Sequence, residues 1–105
     1  MVVDRSAIKT MTVRIGEPLT IRLWEDRTRG EQWVPAYDTS AFVLIGDDFL
    51  RTTSNNAVDS GTRTFEFETL KVGTHRIEFN KRLAWKFTAE DRRIFVVNIQ
   101  SPPAQ

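Results

Sequence analysis

The sequence predicts an all-β fold, an antiparallel sandwich or barrel, on three observations. Apolar residues recur with period two in several short runs, as half-buried strands require. Turn formers separate those runs at intervals of about 8 to 12 residues. No segment has helical periodicity stronger than one turn near Thr88-Ala89-Glu90-Asp91.

Element by element, "TMTVRI" sets Met11, Val13 and Ile15 on one face, and after the turn "GEP" the run "LTIRLW" does the same with Leu19, Ile21 and Leu23. Trp24 therefore points to the opposite face. The stretch "EDRTRG" is a charged connection, and Trp33 begins the next core strand. "WVPAYDTS" starts extended, but Pro35 excludes a regular central strand there. "AFVLI" and "DFLRTTS" read as two short strands around a turn at Gly46-Asp47-Asp48, and "SNNAVDSG" as a loop. "TRTFEFETL" places Phe65 and Phe67 on one face. After the Gly73 turn, His75, Ile77 and Phe79 share a face in "KVGTHRIEFN". "KRLAWKFTAEDRR" interrupts the alternation, "IFVVNIQ" restores it, and "SPP" breaks it. The total is six or seven strands.

The chain has 105 residues, enough for one domain with one core. With 40% hydrophobic and 28% charged residues it has the composition of a soluble globular protein. Fifteen basic against fourteen acidic residues leave a net charge of +1, which argues against a nucleic-acid partner. No apolar run reaches the roughly 20 residues of a membrane helix. Without cysteine there is neither a disulfide frame nor a thiolate metal site. "MVVDRSAIK" lacks signal-peptide character, so either a cytosolic protein or a mature exported domain is expected.

Catalytic chemistry finds little support. His75, the single histidine, has neither a nucleophile nor an orienting partner by motif and reads as structural or partly exposed. Glu66 and Glu68 face away from Phe65 and Phe67, as a solvated strand surface would. Asp47, Asp48, Asn55, Asn56 and Asp59 lack the ligand spacing of a calcium loop, and turn chemistry explains them better. No cofactor is expected. What stands out is three inter-strand segments, "DRTRG", "NAVDSGT" and "RLAWK", which a sandwich can gather at one end. Trp85, among Lys81, Arg82 and Lys86, is either a lid on the core or an anchor for a partner.

The order of these segments resembles the chagasin family, immunoglobulin-like inhibitors of papain-like cysteine proteases. That family carries Asn-Pro-Thr-Thr-Gly, then a Gly-x-Gly-Gly loop, then Arg-Pro-Trp. Here "DRTRG" stands for the first motif, "VDSGT" for the second and "LAW" for the third, over about Met11 to Ile99. Thr28 and Gly30, Gly61, and Trp85 keep the family's letters. The resemblance implies an immunoglobulin-like sandwich of about seven strands, active as a monomer. It would plug a protease cleft reversibly and non-covalently, and would not be an enzyme. The implied contacts are Asp26, Arg27, Thr28, Arg29 and Gly30 in the first loop, Asp59, Ser60 and Gly61 in the second, and Arg82, Leu83, Ala84 and Trp85 in the third. Thr28 would block the catalytic cysteine, Gly30 permit the turn, Gly61 allow close approach and Trp85 stack on the enzyme.

Arg27 stands where the family has proline, which removes a fixed φ and raises the entropy lost when the loop orders. Arg29 adds bulk and charge, and the pair would suit an acidic cleft. The alternatives are an adhesive or structural module of the same fold, and a carbohydrate-binding sandwich with exposed tryptophans. The position of Thr28, Gly61 and Trp85 relative to one edge separates the first reading from the module.

Overall fold

The computed structural model describes residues 8–52, 60–83 and 89–102. Seven strands follow in chain order: β1 (Ile8–Arg14), β2 (Pro18–Asp26), β3 (Glu31–Tyr37), β4 (Phe42–Arg51), β5 (Ser60–Thr69), β6 (Gly73–Leu83) and β7 (Ala89–Gln100). They form two sheets, one ordered β1-β7-β6-β3 and the other β2-β5-β4. All pairings are antiparallel except β1 with β7. The chain crosses between the sheets at every connection except β4–β5 and β6–β7, an immunoglobulin-like arrangement.

The period-two runs supply the core. Leu19 and Ile21 of β2, Phe65 and Phe67 of β5, Ile77 and Phe79 of β6, and Phe95, Val97 and Ile99 of β7 are buried together. Aromatic edges fill the space between the sheets, with Phe65 and Phe79 centroids 4.8 Å apart and Tyr37 and Phe67 5.0 Å apart. Such pairs contribute about 0.5–1.5 kcal/mol each beyond their buried area. His75 belongs to this framework: its ring stands edge-on to Phe42, and Nε2 donates to the Lys71 carbonyl at 3.0 Å.

Pro35 lies in an outer strand and not a central one, as expected, while two other local expectations change. β3 continues through Pro35, which pairs with Phe79. It can do so because β3 is the outer strand of its sheet and needs donors on one side only. Gly46-Asp47-Asp48 does not turn the chain, since β4 is one continuous strand with a register shift between Leu44 and Gly46. Leu44 pairs with Phe67 and Asp47 with Phe65, so three steps along β4 match two along β5. The extra residue is a β-bulge, and it puts Asp47 and Phe49 on the sheet face of Phe42 and Leu44, with Asp47 still exposed to solvent. The irregular stretch after β6 is also shorter than expected: β6 runs to Leu83 and β7 already includes Ala89 and Glu90, where a helical turn was expected. The loop expected from Ser54 to Gly61 lies mostly outside the described residues, and its last two residues, Ser60 and Gly61, begin β5.

Candidate functional site

Strand register brings the three singled-out segments to one end of the sandwich. In one sheet Asp26 pairs with Ser60 and Arg51 with Gly61, so the end of β2, the end of β4 and the start of β5 lie side by side. In the other, Glu31 pairs with Leu83 and Arg82 with Ala89, which collects the start of β3, the end of β6 and the start of β7. Only four residues separate β2 from β3, so these are the same end of both sheets.

The first segment is a tight, doubly capped turn. Arg27–Arg29 form one 3₁₀ turn. The Thr28 amide donates to Asp26 Oδ1 at 3.0 Å, as an N-cap does. At the other end Gly30 takes φ 74° and ψ 20°, and its amide donates to the Arg27 carbonyl at 3.0 Å. That left-handed conformation costs glycine little and other residues more. Thr28 is exposed on the turn.

Beneath the turn lies a layer of paired charges, drawn in part from the stretch expected to be a charged connection. Glu25 is fully buried. Its Oε1 accepts from the Trp33 amide at 2.8 Å and from the Arg63 guanidinium at 2.9 Å, while Oε2 accepts from Arg27 Nε at 2.9 Å. Arg63, itself buried, also donates to both carboxylate oxygens of Asp47. The Asp47 hydrogen bonds and then the Glu25 charge raise the pKa of Arg63 against the opposing effect of burial. The Arg27 guanidinium carbon sits 3.8 Å from the Phe49 ring centroid, a cation–π geometry. Glu31, the second buried carboxylate, accepts from the Asp26 amide at 3.1 Å and from Arg29 at 3.3 Å, with Lys81 Nζ at 3.6 Å. Every group in this layer has a partner, the condition under which charge can be held away from water.

Part of this layer had a signal in the sequence. Glu25 has the parity of Leu19, Ile21 and Leu23, and Arg63 that of Phe65 and Phe67, so both fall on inward faces. Asp47 had none, because its parity depends on the bulge. It is an ion-pair partner in a strand, and the turn role expected of it is corrected.

The remaining expected contacts divide by position. Arg82 is exposed at the end of β6. Leu83 is buried, so its side chain anchors the third segment in the core instead of offering an apolar contact. Gly61 is buried where a Cβ would overlap the Leu50 carbonyl oxygen and crowd Arg51 Cα. The close approach that it permits is that of β4 to β5. Asp59, Ala84 and Trp85 lie outside the described residues. Both arginines of the first segment are engaged within the chain, Arg27 by Glu25 and Arg29 by Glu31.

Among the described residues, no group of three or more His, Asp or Glu side chains could hold a metal ion, and no helix is long and apolar enough to cross a membrane. The sequence profile of the Chagasin family peptidase inhibitor I42 matches residues 12–99. Curated protein sequences yield no match. Solved structures that share the fold include the following three. The cysteine protease inhibitor EhICP2 of Entamoeba histolytica is 20% identical, with a TM-score of 0.78 and 91% of each chain covered. Amebosin is 20% identical, with a TM-score of 0.67 and 87% of this chain and 88% of that one covered. PbICP-C, solved in complex with falcipain-2, is 14% identical, with a TM-score of 0.67 and 89% of each chain covered.

Proposed function

This chain belongs to the chagasin family of peptidase inhibitors, and from that premise we propose that it inhibits papain-like cysteine proteases reversibly, by filling the active-site cleft with the loop end of its sandwich. The observation that carries the proposal is the convergence of three loop stems on one end, with an exposed, doubly capped turn among them. A turn that is already folded loses little conformational entropy on entering a cleft, so more of the contact energy is retained as affinity. Inhibition by occlusion needs neither a nucleophile nor a cofactor.

In this reading Thr28 sits at the front of the wedge, near the protease's catalytic cysteine. The second and third segments, with Ser60 and Arg82 at their described margins and with Asp59 and Trp85, flank the cleft walls. A standard interface of roughly 1,600 Å² would be sufficient for tight binding. The neighbouring structure of PbICP-C with falcipain-2 supports the class of partner. The family's role as inhibitor also sets this chain apart from enzymes.

Competition tests cleft occupancy. Immobilised chain should capture free papain and fail to capture papain whose active-site cysteine carries a bulky, cleft-filling covalent inhibitor. Equal capture of both forms would place the contact elsewhere on the enzyme.

A further inference from the structure

We propose that Glu25 is a positioning residue for the inhibitory turn: its buried carboxylate pins Arg27 and thereby replaces the constraint that proline gives at that position in the family motif. The inference rests on the reading that this turn is the wedge, and it concerns what holds the wedge in shape.

Arg27 is the first residue of the 3₁₀ turn. Proline is favoured at this place in a helical turn, because its fixed φ suits the geometry and the amide donor is dispensable. Asp26 before it is extended, at φ −101° and ψ 95°, and so avoids the α region that a following proline disfavours. The backbone is therefore already shaped for proline, yet the residue present has a free φ and a long, flexible side chain.

The constraint comes from the side chain instead. Glu25 Oε2 holds Nε at 2.9 Å, and the Phe49 ring lies 3.8 Å from the guanidinium carbon on another strand. A side chain fixed at its charged end by a fully buried acceptor and stacked on a ring leaves its own backbone little freedom.

The same carboxylate joins the two sheets. Oε1 accepts from the Trp33 amide of β3 in one sheet and from Arg63 of β5 in the other. Glu25 thus ties the turn to the strand that follows it and to the strand that leads from the second loop. Its position fixes the first wedge element relative to the stem of the second. A buried carboxylate with that many donors cannot shift without breaking several charge-assisted bonds at once.

The test separates positioning from plain stability by means of proline. The full chain is prepared as Arg27→Ala, Glu25→Gln, Arg27→Pro and the double variant Glu25→Gln/Arg27→Pro. Papain inhibition and amide hydrogen exchange at Thr28 and Gly30 are measured at a temperature where each remains folded. Those two amides close the turn, so their exchange reports its opening. Arg27→Ala and Glu25→Gln should each weaken inhibition about tenfold and speed exchange at both amides, because ordering a freed turn opposes binding. Arg27→Pro should bring exchange at both amides back to the rate of the unmodified chain. In the proline background Glu25→Gln should change inhibition by less than about threefold, although it still lowers the melting temperature.

Should Glu25→Gln not fold, the comparison of Arg27→Ala with Arg27→Pro decides the question. The proposal is overturned if Arg27→Ala keeps native exchange at Thr28 and Gly30, or if the Glu25→Gln penalty is undiminished when proline is present. Absence of papain inhibition by the unmodified chain counts against the inhibitor reading alone, and the exchange measurements still decide whether Glu25 positions the turn.

Discussion

The indole N–H of Trp33 donates to the main-chain carbonyl of Trp24 at 2.7 Å, closing the base of the charged turn between them. The two tryptophans have opposite fates. Trp33 is 3% exposed and Trp24 56% exposed, as the parity of β2 requires. One large side chain anchors the turn in the core while the other stays on the outer face, and the loop between them is tied down at both ends.

Replacing Trp33 with phenylalanine keeps an aromatic ring but removes the indole donor and some volume. Stability should fall by about 1–3 kcal/mol, read as a lower urea midpoint with an unchanged slope.

Gly61→Ala should cost at least about 2 kcal/mol, because the added Cβ meets the Leu50 and Arg51 backbone, which cannot rotate away as a side chain would. Chemical denaturation measures it. A neutral effect would show that β4 lies farther from β5 than the described register places it.

Arg63→Met leaves Glu25 buried with Arg27 as its remaining cationic partner, and should destabilise the fold by about 3–5 kcal/mol. The pKa of Arg63 is raised in the folded state, so its contribution is complete below the ordinary arginine value. It is lost only as pH rises through the raised value. Denaturation of the unmodified chain between pH 7 and pH 9 should therefore show no loss of stability attributable to Arg63.

Thr28→Ala should change stability by no more than about 0.5 kcal/mol, since the side chain is on the surface. Inhibition of papain should weaken about tenfold or more if Thr28 is a central contact. Inhibition constants paired with urea curves separate the two effects.

The sandwich was legible because its strands alternate strictly: Leu19, Ile21 and Leu23, then Phe65 and Phe67, then Ile77 and Phe79 declare an inward face. The β4 strand was not, because Gly46-Asp47-Asp48 has turn composition and the bulge at Ile45 is a matter of pairing between strands, which no local pattern records. The end of β6 was hidden for a related reason, as Lys81 and Arg82 look like loop residues while Leu83 carries the strand into the core. In the site, the turn at Gly30 was legible from its motif, and the structure gives Gly30 the left-handed conformation that the turn needs. Arg27 was read as a loss of order because a sequence shows the missing proline but not the Glu25 carboxylate that meets the guanidinium. Glu25 itself looked like one more loop charge. Its burial follows from strand parity continuing two residues past Leu23, into a stretch whose composition suggests solvent.

Titrating active papain with the folded chain, with residual hydrolysis of a small peptide substrate as the readout, tests cleft inhibition most directly. Activity should fall to near zero at micromolar inhibitor or below, and should return on dilution, because no covalent bond is formed. Full papain activity in the presence of micromolar folded chain would contradict the central claim.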